Sequence, residues 1–357
     1  MDLFSPVTLG DLHLPNRVIM APLTRTRSSK TGVPGSLVAE HYAQRASTGL
    51  IITEGTYPSD ESRAYPGQPG IVSDEQIEGW RQVADAVHAK GGRIVMQLMH
   101  SGRVSHTDVT GTDRIVAPSA VAIDGEIRTA TGKLAYPVPH ALSGDELATV
   151  RDEFVTAARN AISAGLDGVE IHGANGYLLH QFLSPAANQR DDDYGQSPDA
   201  RARFVVEVTA AVADAVGAGR VGIRLSPMHN IQDAFEPDLA DATATYEAVI
   251  DGIRPLGIAY VSILHHEPTG DLVQNLRARF GGPVIANTGF GSLTTRDQAI
   301  SLVRDLHADA VAVGRLAIAN PDLVERWQGS HPENEPNPAT FYTGGAVGYV
   351  DYPRLSA

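Results

Sequence analysis

Eight short runs rich in Val, Ile, Leu and Ala, with helical patterns between them, constrain this chain more than any other feature. The runs cover residues 18–24, 50–55, 93–98, 168–172, 221–226, 259–264, 283–289 and 310–315. Most are continuous rather than alternating, as expected for strands buried on both faces of a parallel sheet. Strand–helix alternation repeated eight times predicts an α/β fold, a closed (β/α)8 TIM barrel. The competing architecture is a doubly wound sheet. It would carry Gly-x-Gly-x-x-Gly after its first strand, where this chain has Ala21-Pro22-Leu23-Thr24.

The helices announce themselves by their starts. Ser73 is followed three residues on by Gln76, and Ser143 by Glu146, so each pair forms a capping box. Ile77, Trp80, Val83, Ala84 and Val87 then recur at helical spacing, as do Leu147, Val150, Phe154 and Ala158. Further helices are expected over 38–46, 199–216, 241–253, 272–280, 294–306 and 321–327. Residues 3–16 read as a β-hairpin ahead of the barrel, a cap for its bottom. A long insertion, 101–142, follows the third strand and contains Arg103, His106, Arg114 and Arg128. A loop of that length on the catalytic face is more often functional than idle. The tail, 331–357, starts proline-rich and polar and continues through Phe341-Tyr342-Thr343-Gly344-Gly345, which is placed to fold back over a pocket. Residues 1–357 are read as one domain.

Composition narrows the partners. A formal net charge of −14 argues against nucleic acid or an anionic membrane surface. The chain has no cysteine, which removes disulfides, thiolate metal sites and cysteine nucleophiles. Neither a signal peptide nor a membrane-spanning run is read, so a cytoplasmic location is the expectation. The partner is then a small molecule, and the chain is a monomer or homodimer.

In a barrel the chemistry sits at the C-terminal ends of the strands. Those ends read Thr24, Gly55, Gln97, His172, Arg224, Leu264, Gly289 and Gly314-Arg315. Gln97, Arg224 and Thr24 suit a planar heterocycle with several carbonyl and N–H edges. Gly289-Phe290-Gly291 and Gly314-Arg315 suit a phosphate. After the fourth strand, His172, Asn175 and Tyr177 crowd one small loop. Two hydrogen-bond donors and an acid there suit a reaction that drives negative charge onto a carbonyl or nitro oxygen. Taken alone, His172 and Asn175 are equally consistent with tying down the loop backbone, and Tyr177 with packing. Arg224 and Gln97 have similarly plain readings as a core ion pair and a core amide.

Several long motifs in order resemble the Old Yellow Enzyme family of FMN-dependent ene-reductases. They include Met20-Ala21-Pro22-Leu23-Thr24, Gln97-Leu98-Met99-His100-Ser101-Gly102-Arg103, the stretch from His172 to Pro185, Arg224-Leu225-Ser226-Pro227, and Gly314-Arg315 with Asn320-Pro321-Asp322-Leu323. Thr24 and the Phe341-Tyr342 tail resemble the branch without cysteine at the first strand end. The resemblance implies that Pro22, Leu23, Thr24, Gly55, Gln97, Arg224, Gly289, Gly291, Gly314 and Arg315 hold FMN. It implies that His172 and Asn175 bind the activating oxygen, that Tyr177 donates the proton, and that Tyr65, Met99 and Tyr342 shape the pocket. It further implies that NADH or NADPH would reduce the flavin, whose N5 would then give hydride to the β carbon of an alkene activated by a carbonyl or nitro group. Many relatives carry tryptophan where this chain has Met99, and a wider pocket is expected from the flexible thioether. Reduction of nitrate esters or nitro compounds on the same FMN site is the neighbouring alternative. A metal-dependent barrel hydrolase is the alternative of a different class, and a flavin-binding sensor without turnover is a third.

Overall fold

The computed structural model describes residues 1–355; the last two positions of the expected tail lie outside the described residues. The first strands in chain order are β1 (Val7–Leu9), β2 (Leu12–Leu14), β3 (Val18–Met20), β4 (Leu50–Ile52) and β5 (Ile94–Leu98). The insertion contributes β6 (Val116–Ala117), β7 (Glu126–Thr129), β8 (Gly132–Ala135) and β9 (His140–Ala141). Then come β10 (Gly168–Gly173), β11 (Val221–Leu225), β12 (Tyr260–Leu264), β13 (Val284–Asn287) and β14 (Ala310–Val313). Eight of these, β3, β4, β5 and β10 through β14, close into a parallel barrel, and all eight apolar runs take part. The closed barrel rules out the doubly wound sheet.

Two apolar layers hold it together. Outside the sheet, strand residues such as Val18, Ile51, Met96 and Val261 pack on helix residues such as Trp80, Phe154, Val205 and Tyr246. Inside, Ile19, Leu50, Ile52, Val95, Tyr260, Ile285 and Ala310 form a second cluster that includes Leu9, Leu12 and Leu14 of the antiparallel β1–β2 hairpin. The hairpin therefore plugs the bottom of the barrel. Its first strand begins at Val7 rather than earlier, after the turn through Ser5 and Pro6.

Both capping boxes form, and they open the Asp74–His88 and Gly144–Ser163 helices. The first barrel strand is shorter than expected. It stops at Met20 because Pro22 has no N–H for the ladder, so the chain peels away before Thr24. The insertion is not a bare loop: β7 and β8 pair as an antiparallel hairpin above the barrel mouth. A further helix, Leu178–Leu183, was not expected; all six of its residues are buried. Among the described residues no helix is long and apolar enough to cross a membrane.

Candidate active site

The C-terminal end of the barrel opens into a cavity of about 1060 Å³. Strand ends supply Gln97, Met99, His172 and Arg224, and the segments that follow them supply Pro22, Leu23, Thr24, Gly55, Asn175, Tyr177 and Arg315. Tyr65 and Tyr342 line it as well. Gly289, Gly291 and Gly314 do not line the cavity themselves, but their neighbours Phe290 and Arg315 do. The guanidinium of Arg315 donates to the carbonyl of Phe290, joining the segments after β13 and β14.

The chain after β3 is held by a buried carboxylate. Glu54 accepts the backbone N–H groups of Arg25 at 2.9 Å and Thr26 at 3.1 Å. Arg25 and Arg27 then reach the tail and donate to the carbonyls of Phe341 and, respectively, Gly348 and Thr340. This fixes Phe341-Tyr342 at the cavity mouth, with Phe341 buried and Tyr342 exposed.

His172 is not in a loop. It is the fifth residue of β10, level with Arg224 of β11. The turn after it is short and tight. Asn175 takes φ +58° and Gly176 φ +80°. A Cβ at Gly176 would lie 2.8 Å from Gln232 Cβ and from the carbonyl oxygen of Ile231, so no side chain fits there. Neighbours carry the backbone ties: Asn175 N–H donates to Ser226 Oγ at 2.9 Å, and Gln232 Nε2 donates to the Asn175 carbonyl at 2.8 Å. The side chains of His172 and Asn175 are thus spared from holding the loop. Among the described residues His172 Nδ1 and Asn175 Oδ1 are buried and without a hydrogen-bond partner, as are Arg224 Nε and Nη1. Unpartnered buried polar atoms on a cavity wall call for a ligand to satisfy them. A cation, an imidazole and an amide on one wall fit a planar heterocycle with an oxygen-bearing molecule over it.

Burial sets the protonation states. It lowers the His172 imidazole well below its ordinary value, with Arg224 and His180 adding to the effect, so the ring is neutral. Burial pushes the Tyr177 phenol up to about 12, rather than the ordinary value near 10, against the pull of hydrogen bonds from Tyr65 and Gln232. Arg224 is fully enclosed, and burial lowers its pKa below the ordinary guanidinium value.

Sequence reasoning missed several members. Gln97 does not have both amide hydrogens free, because its Nε2 donates to Glu170 Oε1 at 2.8 Å. Glu170 reads in sequence as part of an apolar strand. Tyr136, Gln232 and Lys30 line the cavity from segments that carry no motif. Of the cationic residues in the insertion only Arg128 reaches it, from β7. Arg103 is buried and donates to the carbonyls of Val121 and Gln232, while Arg114 pairs with Glu61 and Glu146. His106 caps a short helix, Thr107–Thr110. No three His, Asp or Glu side chains converge as a metal-ligand set among the described residues.

The sequence model of the NADH:flavin oxidoreductase / NADH oxidase family matches residues 2–334. A probable flavin mononucleotide-dependent alkene reductase of Leishmania infantum is 41% identical over 99% of this chain and 97% of its own length. A 12-oxophytodienoate reductase 1 of Oryza sativa subsp. japonica is 42% identical over 99% of this chain and 93% of its own. Among solved structures, the Old Yellow Enzyme homologue of Zymomonas mobilis superposes with a TM-score of 0.94 at 37% identity, covering 99% of this chain and all of the other. Morphinone reductase in complex with tetrahydroNAD gives 0.93 at 43% identity, covering 100% of this chain and 98% of its own.

Proposed function

Because the chain belongs to the NADH:flavin oxidoreductase / NADH oxidase family, as an Old Yellow Enzyme homologue, we propose that its barrel mouth reduces alkenes activated by a carbonyl or nitro group. The observation that carries this reading is the common wall of His172, Asn175 and Tyr177 beside an enclosed, unpaired Arg224. The family is FMN-dependent and takes its hydride from NADH or NADPH; when bound, FMN supplies the hydride chemistry.

The chain's own residues supply position and electrostatics. Arg224 and the Gln97 carbonyl oxygen would hold the pyrimidine edge of FMN, where the guanidinium would stabilise developing negative charge. Thr24 would offer its hydroxyl to a ring carbonyl. Pro22, Leu23 and Gly55 would border the ring, and Arg315, with the loops around Gly289, Gly291 and Gly314, would take the phosphate. Neutral His172 and Asn175 grip the substrate oxygen and draw electron density from its double bond. Tyr177 then protonates the α carbon, where the developing enolate is basic enough to take a phenolic proton. Tyr65, Met99 and Tyr342 limit which substituents fit.

The test is anaerobic titration of the purified protein with NADPH, then NADH, followed by 2-cyclohexenone. The expected result is a yellow protein that bleaches with the reduced nicotinamide and regains colour with the enone. A protein that stays colourless after FMN is supplied overturns the reading. One that bleaches but is not reoxidised by the enone overturns the alkene assignment.

A further inference from the structure

Glu170 has no role in the chemistry above, yet the barrel is built around it at the level of the site floor. It is fully buried. Its position in β10 is level with Gln97 of β5 on one side and Gly222 of β11 on the other. Gly222 is in turn level with Tyr260 of β12. A Cβ at Gly222 would lie 2.2 Å from Cζ of the Tyr260 ring, so the missing side chain is what lets that ring lean across β11 toward Glu170. Four neighbouring strands thus contribute one layer: Gln97, Glu170, Gly222 and Tyr260. One layer higher, at the cavity, stand His172 and Arg224.

Two consequences follow for the groups above. First, the bond from Gln97 Nε2 to Glu170 decides which way round the amide lies. The nitrogen is turned to the wall, and the carbonyl oxygen is the atom offered to the cavity. Second, Glu170 is the carboxylate facing Arg224. The two form no direct ion pair, but each shifts the other's ionisation through the low-dielectric interior. Burial raises the Glu170 pKa, and Arg224, Gln97 and Tyr260 pull it back. Among the described residues Glu170 Oε2 and the Tyr260 hydroxyl have no partner within hydrogen-bond geometry, so the one formed hydrogen bond to the carboxylate is that of Gln97, with Tyr260 close enough to lower its pKa.

We propose that Glu170 is a positioning and charge-tuning residue for the flavin site. It holds the Gln97 carbonyl oxygen toward the pyrimidine edge, and its charge offsets Arg224 and so holds down the reduction potential of bound FMN. A cation at that edge favours the reduced, more negative cofactor; a carboxylate one layer behind it subtracts from that preference. The chain gives up some ease of reduction and gains hydride-donating power toward the alkene. This inference rests on the reading that the pyrimidine edge lies against Gln97 and Arg224.

The experiment measures the midpoint potential of the holoenzyme by anaerobic reduction with a reference dye. The FMN dissociation constant of each apoprotein is measured beside it by quenching of flavin fluorescence. Glu170→Gln keeps the shape and removes the charge. It is expected to raise the preference for reduced over oxidised flavin about tenfold, ~30 mV more positive for a two-electron couple. Glu170→Asp keeps the charge while withdrawing from Gln97, and is expected to stay within about threefold of the parent in that preference while binding oxidised FMN more weakly. An unchanged potential in an FMN-loaded Glu170→Gln protein overturns the inference. Should that variant not hold FMN, a tenfold shift in Glu170→Asp overturns it instead. Arg224→Gln separates the two readings: it is expected to lower the potential. If it does and Glu170→Gln changes nothing, only the role of Glu170 falls. If Arg224→Gln leaves the potential unchanged, the placement of the ring falls too, and this inference with it.

Discussion

The hydroxyls of Tyr65 and Tyr177 lie 2.8 Å apart, joining the segment after β4 to the turn after β10. Tyr177 is the more constrained partner, since it precedes the buried Leu178–Leu183 helix. Its phenol, pushed up to about 12, is neutral throughout the ordinary working range. When it gives up a proton, the phenolate left behind is buried. The Tyr65 hydroxyl can then donate to it, which is why that contact pulls the Tyr177 pKa down.

Removing the acid and removing its support should therefore differ in size but act on the same step. Tyr177→Phe is expected to slow reoxidation by an enone about a hundredfold or more, within the range of a lost general acid. Tyr65→Phe is expected to slow it by about tenfold or less. Reduction by NAD(P)H, which needs no proton from Tyr177, should stay near the parent rate in both. Stopped-flow measurement of the two half-reactions checks this. Equal slowing of both halves would mean that the tyrosines only pack the cavity wall.

Met99 lies against Gly55. A Cβ at Gly55 would sit 2.5 Å from the Met99 sulfur, so the thioether fills the space that the glycine leaves. Met99→Trp puts a rigid ring there instead. It is expected to lower kcat/KM for bulky alkenes about tenfold or more while sparing 2-cyclohexenone. A panel of enones of graded size provides the measurement. An unchanged ranking would remove Met99 from the residues that set substrate width.

The barrel is legible in the sequence because a strand buried on both faces leaves an uninterrupted apolar run. The Ser73–Gln76 and Ser143–Glu146 pairs are legible because a capping box is a local structure. Tyr177, His172 and Asn175 stand out because three polar side chains cluster at the end of one apolar strand. Glu170 is hidden for the opposite reason: it lies inside that strand, and its partners Gln97 and Tyr260 are 73 and 90 residues away. Gln232 and Tyr136 are hidden likewise, because only the closed barrel brings their loops over Tyr177. Nor can spacing report the phenol's acidity, which depends on how completely the fold encloses it.

Arg315 is the cation proposed to take the phosphate, and it also links two loops through the Phe290 carbonyl. Arg315→Gln is expected to weaken FMN binding by about ten- to a hundredfold, the scale of a charge-assisted hydrogen bond. Riboflavin, which lacks the phosphate, should lose less than about threefold. Dissociation constants from flavin fluorescence decide the matter. Equal losses for the two ligands would assign Arg315 to loop structure rather than to phosphate binding.

His100 gives the clearest acid-stability signature. It is fully enclosed, accepts the Gly102 N–H on Nδ1 at 3.1 Å, and has no partner for Nε2 among the described residues. Burial lowers its pKa to about 3. In the unfolded chain the same ring takes a proton near 6.5. A depressed folded pKa means that the unfolded state binds more protons as pH falls, so the contribution is fully present above 6.5 and is lost as pH falls toward 3. The raised carboxyls of Glu54 and Glu170 act in the opposite sense, so the total slope mixes several groups. The difference between parent and His100→Asn isolates one of them, and asparagine keeps an acceptor for the Gly102 N–H. Between pH 6.5 and 5 the parent is expected to lose about 1.7 kcal/mol more than the variant, the slope difference growing from ~0.7 kcal/mol per pH unit at pH 6.5 to ~1.3 at pH 5. Urea unfolding at a series of pH values reads this directly as a difference in slope, whatever packing the variant loses at pH 8. Parallel curves would show that the proton taken up on unfolding in this range goes elsewhere.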